Sequence, residues 1–320
     1  MHDTVASQPA ASALPAAGAL KVVNNCDYVV GNRTRDLLLK SAPLSRDWAK
    51  LECDQKIRGG MEEWAKEKLH DPVHTCDWYH GTWQFLRLVN MVATPPWYPF
   101  YMEALGNILR NKPTANVLIS AAADWGMLAQ LHDAAEMVGA QPRITLYDIC
   151  QSPLTASRWY ADFCGFWLEC LCDNIITSAS MPLGSYDLIV TDEFLTVLKD
   201  EYKPMITARW LELLKPGGSV VTTAMIGKPT TPNLRESFAA RAKLRLRENP
   251  WVAALTNVPA DDLIASFNKF AKVHTRHMLT SSEQLEDLFS EFELSYSVVV
   301  TPGECVTPTN SFQIVATKPV

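Results

Sequence analysis

The chain has 320 residues, 48% of them hydrophobic and 20% charged, and a formal net charge of −6. That suffices for one large domain, or one domain with an appendage, and the acidic balance argues against nucleic acid as a partner. No apolar run approaches the roughly 20 residues that span a bilayer, so no membrane partner is expected either.

Residues 1–20 are rich in Ala, Ser and Pro and lack a positively charged start; they read as a disordered tail, not a signal peptide. Residues 21–112 read as a helical, aromatic-rich cap. Asp36-Leu37-Leu38-Leu39, Trp48, Leu51, Met61, Trp64 and Leu69 predict two or three short amphipathic helices. Trp78, Tyr79, Trp83, Phe85, Trp97, Tyr98, Phe100 and Tyr101 crowd the next stretch. There a helix is expected over 82–91, stopped by Thr94-Pro95-Pro96, and another over 99–109. These rings suit core packing between helices, a lid over a substrate, or both. Tyr79 and His80, beside Gly81, are the polar members expected to face a pocket.

The chain is organised around residues 115–148. Val117-Leu118-Ile119 is an apolar run that stops at Ser120, Ala121, Ala122 and Ala123; Asp124 and Gly126 follow. Leu128, Leu131, Ala135 and Val138 then repeat at helical spacing, and Ile144-Thr145-Leu146-Tyr147 ends in Asp148. This is strand, tight turn, helix, strand, acid. Small residues let backbone approach a ligand, the helix start offers free N–H groups, and an acid ending the second strand can accept both ribose hydroxyls. The stretch predicts a pocket for an adenosine-containing cofactor.

Downstream, Ser152 and Pro153 open a helix that ends near Gly165. A third strand around 167–171 ends at Asp173-Asn174. A buried strand over 186–191 ends at Asp192-Glu193, and a helix over 202–214 leads through Lys215-Pro216-Gly217-Gly218 into a strand over 219–225. Strand and helix alternate as in an open parallel sheet with helices on both faces, where ligands bind at the carboxyl ends of the strands. Residues 226–280 form a helical insertion. Arg235, Arg241, Lys243, Arg245 and Arg247 on one of its helices read as a solvated face. His274-x-x-His277 lacks a third ligand nearby, so no metal is expected. A helix over 281–292 precedes two strands, 294–300 and 311–317, paired as a hairpin. The eight cysteines, at 26, 53, 76, 150, 164, 170, 172 and 305, show no paired metal spacing, and free thiols in a cytoplasmic, reducing setting are expected.

Over residues 115–320 the chain resembles the class I S-adenosylmethionine-dependent methyltransferases. The matching pieces are VLISAAADWG, TLYD, CDN, YDLIVTDEF and LLKPGGSVVTT, followed by the terminal hairpin. Alanines stand where the family has glycines, Ile119 stands near the place of the family's acid, and Asp124 is the candidate replacement. The resemblance implies an α/β, Rossmann-like, open and mostly parallel seven-stranded sheet with a reversed last strand, behind an N-terminal helical extension, with residues 113–320 as the cofactor-binding domain. It implies S-adenosyl-L-methionine as cofactor and methyl transfer to O, N or C of a small molecule, of the kind found in secondary metabolism. Ser120, Ala121, Ala122, Asp124 and Gly126 would line its methionine part. Asp148 would hold the ribose, Ile149 would lie beside the adenine, and Asp173 and Asn174 would sit at the adenine edge. Asp192, Glu193 and Phe194 would border the methyl. Glu193 and His80 are the candidate bases and Tyr79 the orienting group. The alternatives are a non-catalytic, methyltransferase-like protein-binding partner and a nicotinamide-dependent oxidoreductase; a homodimer is left open.

Overall fold

The computed structural model describes residues 21–22, 32–59, 76–92, 98–228, 230–300 and 310–320. Its strands are β1 (Lys21–Val22), β2 (Asn116–Ser120), β3 (Arg143–Asp148), β4 (Glu169–Cys172), β5 (Tyr186–Val190), β6 (Leu214–Ile226), β7 (Glu293–Val300) and β8 (Asn310–Thr317). They form one sheet in the order β1-β7-β8-β6-β5-β2-β3-β4. Only β8 runs against its neighbours, β6 and β7. Seven of these strands make the expected open sheet with a reversed last strand. The eighth, β1, adds to the edge beside β7 and was not foreseen, because two residues carry no periodic signal.

The helices are α1 (Asn32–Gly59), α2 (His80–Leu88), α3 (Tyr98–Asn111), α4 (Gly126–Val138), α5 (Gln151–Cys164), α6 (Phe194–Val197), α7 (Lys203–Leu213), α8 (Pro232–Glu248), α9 (Trp251–Thr256), α10 (Ala260–Val273) and α11 (Ser282–Leu288). None of the described helices is long and apolar enough to cross a membrane. Helices cover both faces of the sheet, so Val117–Ile119 of β2 and Leu188–Val190 of β5 are consecutive apolar residues rather than alternating ones. Val117 and Ile119 of β2 pack with Leu105, Leu109, Leu128 and Leu131 on one face. Leu118, one position between them, points the other way, into a core with Ile189, Trp210, Val220 and Phe312. Each such fully buried Leu or Ile contributes roughly 1.5–3 kcal/mol over its exposed state.

The chain starts the parallel part of the sheet at β2, builds outward to β3 and β4, and then returns to β5 and β6 on the other side of β2. The reversal between β2 and β5 opens a crevice at their carboxyl ends. Ser120, Asp148 and Val190 end their strands there.

The expected two or three short helices near the N-terminus are, among the described residues, one helix of 28 residues, α1, with Pro43 inside it. Its buried stripe of Leu38, Ala42, Ser45, Ala49 and Glu52 keeps helical spacing across the proline, so one continuous face packs despite the lost hydrogen bond. Met61, Trp64, Leu69 and Trp97 lie outside the described residues, as does the expected N-terminal tail. The insertion leaves and rejoins the sheet at one point. Gly227 N–H donates to the Leu279 carbonyl at 2.9 Å, and Leu279 N–H to the Met225 carbonyl at 2.9 Å. Arg235 is not on a solvated face. It donates to the carbonyls of Ala271, Lys272 and His274 and to Thr275 Oγ1, capping the end of α10.

Candidate active site

The loop after β2 keeps the shape of a glycine loop without the glycines. Ala121 holds φ at +67°, in the left-handed region that disfavours side chains. Its N–H donates to the Tyr147 carbonyl at 2.9 Å, and the next N–H, of Ala122, to Asp148 Oδ2 at 2.9 Å. The other oxygen of Asp148 accepts from Cys150 N–H at 2.7 Å. Asp148 thus laces together the turns that follow β2 and β3. The Ser120 hydroxyl accepts from the Trp210 indole at 3.0 Å in the core, so only its backbone is available to the crevice.

Asp124 closes the loop. Its Oδ1 accepts the Gly126 N–H at 2.7 Å, at the start of α4, and its Oδ2 is bonded to Arg87 of α2. Both side chains are buried, at 2% and 6% exposure, so the pair is a desolvated cross-tie between cap and sheet. Gly126 is obligatory: a Cβ there would lie 2.9 Å from Asp124 Oδ1 and 3.1 Å from Arg87 Nη1. Arg87 also stacks over Trp125 at 4.7 Å, and its buried Nε–H has no partner.

Three further ties run from the cap. His80 Nδ1 donates to the Ala123 carbonyl at 2.9 Å, which fixes the proton on that nitrogen. Trp125 Nε1 donates to Ser41 Oγ at 3.0 Å. Glu52 of α1 accepts the N–H groups of Gln151 and Ser152, each at 2.8 Å, together with the Ser152 hydroxyl. The sequence suggests Ser152 as the cap of α5; Cys150 holds that position and Glu52, a hundred residues away, supplies the acceptor. His80, Asp148 and Cys150 offer ligand atoms within 4.8 Å of one another, a grouping the spacing of the residues does not betray. Both Asp148 oxygens already serve the backbone, so we read it as loop architecture. Ile149 is half-buried beside them. Asn174 is buried in a turn where its own N–H is held by Asp173 Oδ1 at 2.7 Å.

At the end of β5, Asp192 Oδ1 accepts from Thr223 Oγ1 at 2.8 Å and from the Tyr101 hydroxyl at 3.1 Å. Burial raises the Asp192 pKa; those hydrogen bonds and the charge of Arg87 oppose the rise, and Asp124 adds to it. Glu193 sits at φ +54°, its Oε2 bonded to Thr196 Oγ1 at 2.6 Å and its Oε1 to Ser311 Oγ at 3.2 Å. Phe194 turns toward Trp210, with ring centroids 6.3 Å apart.

The cap presents aromatic rings to these acids. Tyr79 stacks on Trp83 and on Phe270 of α10, with centroids 5.2 Å and 5.7 Å away, and His274 lies 5.9 Å from it. The Tyr79 hydroxyl is pushed well above its ordinary pKa by burial and then by the carboxylates of Asp124, Asp148 and Asp192, with Arg276 pulling the other way. Tyr79 thus lies within electrostatic reach of Asp124, Asp148 and Asp192, while Asp173 and Asn174 follow β4. A cavity of about 320 Å³ between α7 and α11, lined by Asp200, Pro204, Leu211 and Phe292 among others, contains none of them.

Sequence reasoning missed Arg87, Glu52, Tyr101, Thr223 and Arg276. Arg87 gives one signal, as the only charge in the apolar run Trp83–Val89. The others are ordinary surface-compatible residues whose partners lie far along the chain.

No protein-family model and no curated protein matches the chain. Among solved structures it is similar to an S-adenosylmethionine-dependent methyltransferase from Methanosarcina mazei, with 16% identity, 65% of this chain and 94% of that one covered, and a TM-score of 0.45. It is similar to an O-methyltransferase described as putative, from Nostoc punctiforme, with 15% identity, 86% and 71% covered, and a TM-score of 0.44. It is also similar to a protein from Rhodobacter sphaeroides described as a zinc-dependent alcohol dehydrogenase, with 14% identity, 66% and 89% covered, and a TM-score of 0.41. At this level neither activity nor substrate transfers to this chain.

Proposed function

We propose that this protein is an S-adenosyl-L-methionine-dependent methyltransferase acting on a small molecule. One hydrogen-bonding observation carries the reading. The start of α4, where a dinucleotide's pyrophosphate would bind, is already held by the buried carboxylate of Asp124. With its Gly126 N–H already satisfied, the start of α4 has that donor closed to a pyrophosphate, while Asp148 stands where the ribose of a nucleoside would bind. This disfavours the nicotinamide-dependent oxidoreductase. The left-handed Ala121 speaks against a decayed, non-catalytic loop, because the conformation persists at an energetic cost.

The residues fit the cofactor. Asp148, each of whose oxygens keeps a second lone pair beside its backbone bond, would hold the ribose, with Ile149 beside the adenine and Asp173 and Asn174 at its edge. The backbone of Ser120, Ala121 and Ala122 would approach the methionine part, and the unpartnered Arg87 Nε–H suits its carboxylate. When bound, the cofactor supplies a methyl group on a sulfonium, already activated for in-line displacement by the acceptor. The chain's task is alignment and exclusion of water. Tyr79, Trp83 and Phe270 wall the acceptor side, and Asp192 and Phe194 border the transfer. Glu193, oriented by Thr196 and Ser311, accepts a proton from the acceptor. His80, fastened to Ala123, holds the cofactor loop rather than moving a proton.

The test is calorimetric titration with S-adenosylmethionine and S-adenosylhomocysteine of the purified chain and of Asp148→Asn. Micromolar binding weakened at least about tenfold in the variant is expected. A folded wild-type protein that binds neither ligand overturns the reading.

A further inference from the structure

Three side chains from different parts of the chain meet at the start of α5. His80 comes from α2 of the cap, Asp148 ends β3, and Cys150 holds the capping position of α5. Each offers one ligand atom, and the three atoms lie within 4.8 Å of one another. All three residues are buried, at 8%, 7% and 3% exposure. An imidazole nitrogen, a carboxylate oxygen and a thiol sulfur together make the donor set of a borderline-soft divalent cation; Mg²⁺ and Ca²⁺ take oxygen.

The loop architecture has already oriented each donor. His80 Nδ1 donates to the Ala123 carbonyl at 2.9 Å, so in the neutral ring Nε2 carries the lone pair. A metal-binding histidine is held in this way, by an acceptor on its other nitrogen. Asp148 serves the loops through Ala122 N–H on Oδ2, at 2.9 Å, and Cys150 N–H on Oδ1, at 2.7 Å. Those bonds use one lone pair of each oxygen and fix the direction of the second. Cys150 stands at the N-terminus of a 14-residue helix, where a thiolate is favoured. Ligand atoms around Zn²⁺ sit roughly 3.3–3.8 Å apart, so modest side-chain rotations close this set onto one ion.

We propose that His80, Asp148 and Cys150 form a site for Zn²⁺ that shuts the cofactor pocket. The ion takes His80 Nε2, an Asp148 oxygen and the Cys150 thiolate, whose proton passes to solvent, and leaves its fourth position to water. It ties the cap to the sheet through α2. The inhibitory effect rests on the methyltransferase reading, in which Asp148 is the acid that holds the ribose. Ion and cofactor then exclude each other.

The experiment uses the full chain as wild type, Cys150→Ala, Cys150→Ser and, as a control thiol, Cys164→Ala. Zn²⁺ binding is read by calorimetry, Co²⁺ binding by the thiolate-to-cobalt absorption band, and S-adenosylhomocysteine affinity with and without Zn²⁺. Wild type and Cys164→Ala are expected to bind Zn²⁺ at micromolar Kd or tighter, and both Cys150 variants at least about tenfold more weakly. Cys150→Ala should also lose the cobalt band. Zn²⁺ at about ten times its Kd should weaken S-adenosylhomocysteine binding about tenfold in wild type and leave it unchanged in Cys150→Ala. Equal Zn²⁺ affinity in wild type and the Cys150 variants overturns the proposal. So does a wild type without the cobalt band, or one that binds S-adenosylhomocysteine equally well with Zn²⁺ bound. If wild type fails to bind S-adenosylhomocysteine in the absence of metal, the methyltransferase reading falls, and the Zn²⁺ titration and the cobalt band still decide the metal site.

Discussion

The two sides of the crevice are built in opposite ways. The sheet side, from β2 through β3, comes from 34 consecutive residues, Ala115 to Asp148, and its bonds are short-range loops from one turn to the next. It is acidic and small-residued. The cap side draws Ser41, Glu52, Tyr79, His80 and Arg87 from one end of the chain and Phe270 and His274 from the other. It is aromatic and carries the cations. The first wall needs only local geometry, whereas the second is assembled from distant pieces of the chain. The difference teaches that one wall of the crevice is encoded by neighbouring residues and the other by packing between distant parts of the chain.

The cross-tie between the two sides offers the strongest way to break the comparison. Arg87→Met strands the buried Asp124 carboxylate and should cost about 3–5 kcal/mol in urea unfolding. Adding Asp124→Asn to it should recover much of that loss, because the amide oxygen still accepts from Gly126 while the buried charge is gone. A cost below about 1 kcal/mol for Arg87→Met would mean that cap and sheet stand independently.

The cap can be loosened alone by acid. Burial, with the charges of Arg276, Arg235 and His277, lowers the His274 pKa from 6.5 to about 3. Between those values the unfolded chain takes up a proton that the folded one refuses, so stability is full above pH 6.5 and falls as the pH drops toward 3. The limit is about 1.4 kcal/mol per pH unit. His274→Phe keeps a ring beside Phe270 and removes this dependence. Its Tm should fall several degrees less than that of wild type between pH 7 and about pH 4.5. Parallel Tm curves would show that His274 is solvated.

The smallest effect sharpens the sheet side. Ala121→Gly should stabilise the protein by about 1 kcal/mol, since the φ of +67° then costs nothing in side-chain contact. S-adenosylhomocysteine affinity should hold. A destabilised variant would mean that the alanine methyl packs usefully and that the loop is not a strained copy of a glycine turn.

By itself the sequence determined the alternating strands and helices, the acid Asp148 at the end of β3, the reversed terminal strand and the helical insertion. These rest on periodicity and on residues adjacent in the chain, where each apolar run and turn residue reports its own conformation. Only the tertiary structure decided that Glu52 caps α5, that Arg235 caps α10 and that Arg87 neutralises Asp124. A charged side chain looks the same in sequence whether it meets water or a partner; its desolvation and its partner exist only once the chain has closed on itself.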